Sequence, residues 1–261
     1  MATPAIVAAP ERSPLQGGLF SHLTFRGDED RWETGVTFPG QSCGLLPVTL
    51  GPGCETDEDN PDDPSDEMFE REMPWGEADT PFIVNGTFSC SPVGMTLEEA
   101  EANAVADLER HEEASVERVV WAGFEASDDV DSLVDNSVDA ATAVGLLEHY
   151  IGVVYGAQGM IHVPRWLSPH LDLENRGQRL VTKHLRTPVV AGSGYGSPDL
   201  DDTSIYATPA MVAYRSPAEI VGDATESFDR RHNLVQVLAQ RTYLLGFDTC
   251  PPTSVQIDIT L

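Results

Sequence analysis

Lysine is almost missing from this 261-residue chain: Lys183 stands alone among fifteen basic residues. Positive charge is scarce altogether, with fifteen bases against forty-three acids and a formal net charge of −28. A surface of that sign repels free nucleic acid and anionic membranes. It does not exclude a container whose lining nucleic acid must slide past. No run of about 18 apolar residues exists, so the sequence predicts no membrane-spanning helix. Residues 1–10 are small and apolar, but they lack a basic segment, and Pro4 and Pro10 interrupt them. They do not read as a signal peptide.

Metal and nucleophile signatures are missing too. The four cysteines, Cys43, Cys54, Cys90 and Cys250, form no CxxC pair, which argues against zinc. Cys43 and Cys54 flank a Gly- and Pro-rich loop that a disulfide would suit, but reduced, half-buried thiols are the expectation in a cytoplasmic compartment. Seven histidines form neither HxH nor HExxH. His111 reads as solvated and His162 as a satisfied core histidine. Gly192-Ser193-Gly194-Tyr195-Gly196 is neither GxSxG nor GxGxxG and reads as a flexible loop at a subunit contact. Asp57, Asp59 and Asp62 invite calcium, but Pro61 falls where a ligand is needed and the turn glycine is missing. A pair of carboxylates is expected by chance among so many acids. The sequence therefore predicts no catalytic residue, no cofactor and no metal.

What is present is an ordered series of elements. Residues 1–30 are Pro- and Gly-punctuated and read as an extended arm, too apolar at Leu15, Leu19 and Phe20 to stay in solvent. Residues 32–50 suggest strand, turn and strand around Trp32 and Phe38. Twelve acids and one arginine crowd residues 55–79, an exposed loop. Residues 81–90 read as a strand pair, or one bulged strand, around Asn85-Gly86. Thr96 and Glu99 form a capping box, and a long helix is predicted from Leu97 to Ala122, ended by Gly123. Its apolar stripe is Val105, Leu108, Val116, Val119 and Val120, a narrow face suited to lying across a sheet. A second helix is predicted from Ala141 to Tyr155, then a buried strand from Met160 to Val163, a short helix from Pro164, and strands at 179–181, 187–191 and 205–214. From Val235 the chain alternates over a dozen residues, a long strand stopped by Pro251-Pro252. A short final strand follows. The class is α+β, without regular βαβ alternation.

That order resembles the major capsid proteins of tailed phages, the Hong Kong 97-like shell fold also used by encapsulins. The stretch Ala104–Gly123 (AVADLERHEEASVERVVWAG) looks like the end of that family's spine helix. The resemblance implies an N-terminal arm at 1–30 and an extended β-hairpin loop with an acidic insert at 31–95. It implies spine helix and peripheral domain at 96–136, an apical domain at 137–232, and a peripheral-domain return strand at 233–261. It implies a non-enzymatic subunit that self-assembles, as hexamers and pentamers, into the icosahedral shell of a virion, put together in the host cytoplasm and enclosing double-stranded DNA without sequence-specific binding. Portal, scaffold or decoration proteins would be further partners, and no membrane is involved. An encapsulin-like compartment shell and another virion component (decoration, neck or penton-specific protein) are the alternatives. Lys183 lies outside the extended loop, so lysine–asparagine crosslinking there is not expected. Expected assembly contacts are Leu15, Leu19, Phe20, Trp32 and Phe38 from arm and loop, with Arg110, Arg118, Arg230 and Arg231 pairing against acidic neighbours. Deleting residues 1–25 is then expected to leave a folded chain that cannot assemble.

Overall fold

The computed structural model describes residues 15–27, 32–34, 36–39, 43–44, 75–77, 80–90, 95–127, 130–196, 203–222, 228–229, 234–248 and 250–259. The acidic stretch 55–74, Asp57, Asp59, Asp62 and Cys54 lie outside them. In chain order the strands are β1 (Phe25–Arg26), β2 (Thr37–Pro39), β3 (Trp75–Glu77), β4 (Phe82–Cys90), β5 (Asp131–Ser132), β6 (Met160–Pro164), β7 (Leu173–Arg176) and β8 (Arg179–Thr182). Then come β9 (Pro188–Gly192), β10 (Ser204–Thr208), β11 (Met211–Arg215), β12 (Glu219–Val221), β13 (Phe228–Asp229), β14 (Leu234–Phe247) and β15 (Thr253–Gln256). Helix α1 is Leu97–Ala126 and helix α2 is Ala140–Tyr150.

The capping box forms: Glu99 N–H donates to Thr96 Oγ1 at 3.2 Å and Thr96 N–H to the Glu99 carboxylate at 2.8 Å. Thirty residues make α1 about 45 Å long. It runs one turn past Gly123, where the sequence predicted an end. Gly123 is exposed, and glycine costs a helix only about 1 kcal/mol. Phe124, buried against His162 and Tyr206, keeps the last turn wound. The stripe also differs. Val119 faces solvent, whereas Ala100, Ala104, Leu108, Glu112, Val116, Glu117 and Trp121 are buried.

Two large sheets carry the chain, and β2 pairs antiparallel with β3 in a small third one. In the six-stranded sheet, β14 pairs with β4, β11, β12 and β13, and β1 extends it beside β11. Residues 81–90 are one straight strand, paired with β14 over nine positions, and no turn occurs at Asn85-Gly86. Gly86 is there for packing: a Cβ would come within 2.4 Å of the Leu108 nitrogen, so only glycine lets α1 lie this close. Alternation along β4 and β14 sends Val84, Val237, Ala239, Tyr243 and Leu245 under α1. Leu244 points to the other face and packs with Trp32 and Tyr214.

The second sheet has seven strands in the order β5-β15-β10-β6-β9-β8-β7. Its central strands are apolar on both faces, as a doubly covered sheet requires. Ile161, Val163, Val189, Ile205 and Ala207 join the core beneath α2. Val190, Tyr206 and Met160 join the core shared with α1. Helix α1 thus roofs one sheet and drives its far end into the other. The predicted strand 205–214 is two strands in different sheets, β10 and β11, with Pro209 at the crossing. The short helix from Pro164 is a turn followed by one 3-10 turn at Ser168–His170. Helix α2 passes into a π-helical turn at Ile151–Tyr155, and Gly156 closes it with φ of 59°.

Cys43 and Cys250, 207 residues apart, form a disulfide with Cα atoms 5.5 Å apart. The expectation of reduced thiols is corrected for this pair. Gly44 N–H donates to the Val154 carbonyl at 2.8 Å, which seats the segment beside the π-helical turn. Cys90 is free.

Candidate assembly interface

A strap of residues 15–23 crosses the junction between α1 and the seven-stranded sheet. Gly17 takes a left-handed conformation (φ 73°), donates to the Gln178 carbonyl at 2.9 Å and accepts from Ala191 N–H at 2.7 Å. At Gly18 a Cβ would meet Glu113 Oε1 at 2.4 Å. The next two amides donate to carboxylates of α1, Leu19 N–H to Glu117 Oε1 at 3.0 Å and Phe20 N–H to Glu113 Oε1 at 2.9 Å. From the opposite side Arg165 donates to the Gln16 carbonyl at 2.8 Å and Arg179 to the Ser21 carbonyl at 2.8 Å.

Glu117 also binds a second loop. Its Oε2 accepts from Gly194 N–H at 2.9 Å. Gly194 sits so close to α1 that a Cβ would come within 2.0 Å of the Ala114 carbonyl oxygen, and Tyr195 beside it is fully buried, stacked on Trp121 at 5.0 Å. The Gly-rich segment expected at a subunit contact is docked instead on its own spine helix. Burial pushes the carboxyls of Glu113 and Glu117 upward, and the backbone donors pull them back.

Glu112 occupies the other side of α1. It accepts from Tyr243 Oη at 2.7 Å and from Arg241 Nη1 at 2.5 Å, with Arg215 at 3.8 Å. This pins helix to sheet. His162 lies fully buried between Tyr195 Oη and Thr208 Oγ1, each at 2.8 Å from a ring nitrogen. Burial lowers it to about 3, so it is neutral at ordinary pH with one nitrogen donating and the other accepting. Both nitrogens are engaged structurally, as the sequence reading expected. Among the described residues no group of three or more His, Cys, Asp or Glu could hold a metal ion, and no helix is long and apolar enough to cross a membrane.

The residues expected at an assembly interface separate into three groups. Leu15, Arg110 and Arg118 are exposed; Arg110 lies 3.9 Å from Asp107 one turn away. Leu19 and Trp32 are buried inside their own chain, which corrects the expectation for them, and Phe20 is half-buried there. Leu19 is fully buried, Phe20 stacks on Tyr243 at 6.1 Å, and Trp32 stacks on Tyr214 at 5.9 Å. Arg230, Arg231 and the side chain of Phe38 lie outside the described residues. Sequence reasoning missed Glu112, Glu113 and Glu117, because it placed only apolar residues on the packed stripe of α1. The signal was spacing: Glu112 falls midway between Leu108 and Val116, four residues from each, on the apolar stripe itself.

No protein-family model and no curated protein sequence matches the chain. Solved structures do. A chain of Mycobacterium phage Bobi superposes with a TM-score of 0.53 at 8% identity, covering 99% of this chain and 96% of that one. The holo-SrpI encapsulin complex of Synechococcus elongatus gives 0.58 at 10% identity, covering 99% and 94%. The chain has the Hong Kong 97-like shell fold. The virus-like particle of Pyrococcus furiosus matches it as well, at 0.55 and 8% identity over 92% of both chains. In a Hong Kong 97-like frame the strap, Glu113, Glu117 and the Gly194 loop form the internal joint where spine helix and seven-stranded sheet are tied together.

Proposed function

We propose that this chain is a structural, non-enzymatic subunit that self-assembles into the icosahedral shell of a tailed phage enclosing double-stranded DNA. The observation that carries this reading is coverage: a phage chain and this chain share one fold along nearly the whole of both. The exposed Leu15, Arg110 and Arg118 remain assembly contacts in this reading, with Arg230, Arg231 and Phe38 beside them. The acidic surface keeps packaged DNA from adhering to the wall. Hexamers and pentamers assemble in the host cytoplasm, with portal and scaffold or decoration proteins as partners, and the product is a virion capsid. Residues 1–30, 31–95, 96–136, 137–232 and 233–261 then serve as arm, extended loop, spine, apical region and return strand.

One observation favours a second reading. The highest similarity among the structures named is to the encapsulin complex, so a compartment shell around protein cargo is the alternative. Negative-stain electron microscopy with sizing of the protein expressed alone tests both. Closed particles, capsomers or tubes are the expected result; a clean monomer at all salt concentrations overturns the shell reading. Co-purifying protein cargo in closed particles would select the encapsulin-like alternative.

A further inference from the structure

The turn between β8 and β9 is built unlike its surroundings. Residues 165–187 hold five of the fifteen bases, Arg165, Arg176, Arg179, Lys183 and Arg186, against Asp172 and Glu174. That segment is net +3, while the rest of the chain, with ten bases and forty-one acids, is −31. At its tip Lys183, His184, Leu185 and Arg186 are all exposed, and Leu185, at 70%, is the most exposed large apolar side chain among the described residues.

The tip is held rigidly from below. Thr182 N–H donates to the Thr187 carbonyl at 2.9 Å, Arg186 N–H to the Thr182 carbonyl at 3.1 Å, and Thr187 N–H to Thr182 Oγ1 at 3.0 Å. Both threonine hydroxyls donate to Glu148 Oε1 of α2, at 2.5 and 2.9 Å. Arg186 is left-handed (φ 64°), a conformation that favours glycine. A charged side chain is therefore displayed where the backbone would prefer none. Lys183 reaches Asp172 at 2.9 Å, whereas His184 and Arg186 make no side-chain bond among the described residues.

We propose that Lys183–Arg186 is a preorganised cationic knob that docks on the carboxylate-rich surface of a second copy of this chain. The proposal rests on the shell reading and names a contact within it. The occupant follows from charge: the rest of the chain, net −31 by composition, presents exposed Glu98, Glu99 and Glu109 on α1, and these recur on every neighbour. A single exposed ion pair contributes little. Burying Leu185 between the two cations of a backbone-fixed turn adds apolar area, and repetition around a symmetric shell multiplies a weak contact. Preorganisation reduces the ordering cost at each copy.

The test compares the assembly of full-length wild type with three variants, Lys183→Glu/Arg186→Glu, Leu185→Ser and Arg186→Gly, and with a charge-retaining control, Lys183→Arg/Arg186→Lys. Light scattering reads the critical concentration, and circular dichroism with a melting curve reads the fold. The charge-reversed pair is expected to raise the critical concentration at least tenfold, and Leu185→Ser to raise it less, with melting unchanged. The charge-retaining control is expected to assemble as wild type does. Arg186→Gly separates charge from backbone: it is expected to melt higher, because the left-handed strain is relieved, yet to assemble worse. Variants that assemble like wild type overturn the proposal and leave the shell reading intact. Normal particles whose nucleic-acid content falls overturn it in favour of a nucleic-acid contact. A wild type that never assembles overturns the shell reading, and this proposal with it.

Discussion

Glu117 shows how a single buried carboxylate organises a junction. It is compensated not by a cation but by backbone amides of Leu19 and Gly194, two segments far apart in sequence. An orphaned buried amide costs about 1–3 kcal/mol. Glu117→Ala strands both and is expected to lose about 2–5 kcal/mol, whereas Glu117→Gln, which retains one carbonyl acceptor, should lose clearly less. Urea midpoints of the two variants check this; equal losses would mean the carboxylate is not the shared acceptor. Two histidines, the buried His162 and the half-buried His22, set the response to acid. His22 is lowered to about 4 by burial and by Arg179, and His162 to about 3 by burial. Both lie below the unfolded value near 6.5, so between that pH and the folded values the unfolded chain binds more protons. Their stabilisation is complete above pH 6.5 and is lost as pH falls. For His162 alone the loss by pH 4 is of order 3 kcal/mol. Glu113 and Glu117, raised by burial, act in the opposite direction. A flatter dependence of melting temperature on pH is therefore expected for His162→Gln than for wild type over pH 6.5 to 4.

Elements are fitted to one another by contacts their own sequences do not announce. Strand β4 accepts α1 only because Gly86 has no side chain, so Gly86→Ala must push Leu108 backbone away. Overpacking of this kind costs about 1–3 kcal/mol. The melting temperature is expected to fall, and an unchanged melt would mean helix and strand separate more easily than their packing suggests. The Cys43–Cys250 bond ties the segment at Cys43 to the turn between β14 and β15. Closing so long a loop stabilises by up to roughly 5 kcal/mol in the chain-entropy picture. Calorimetry with and without reductant should show a lower melt when reduced, and Cys250→Ser should melt like the reduced wild type. If reductant changes nothing, these thiols do not pair in solution.

At the scale of the whole molecule the N-terminal strap belongs to the fold. Removing residues 1–25 strips Leu19 and Leu23 from the core, deprives Glu113 of the Phe20 amide and deprives Glu117 of one of its amide donors. The truncated chain is expected to melt much lower than wild type. The sequence reading expected it to fold and fail only in assembly; an unchanged melt would restore that view. Charge acts at the same scale. Copies at −28 each repel, and salt screens them within about 10 Å at 0.1 M. Assembly of the isolated protein is therefore expected to strengthen from about 0.05 to 0.5 M salt, with scattering as the readout, until screening also weakens the cationic knob.

Local signals carried a good part of this in the sequence itself. The capping box at Thr96, the helix after it and the period-two run of β14 are set by neighbours within a few residues, and they were legible; the apolar run around His162 marked it as a core residue, although its partners Tyr195 and Thr208 lie far along the chain. The order of these elements was enough to suggest the shell fold. Other features depend on partners distant in the chain, up to 207 residues away for Cys43 and Cys250. Gly86 looks like a turn until α1 lies on it. Glu112 and Glu117 look solvated until Arg241, Tyr243 and the strap meet them. Cys43 finds Cys250 rather than Cys54, and Leu19 finds its own core rather than a neighbour's. Burial and pairing across the chain are properties of the packed molecule, and only the tertiary structure decides them.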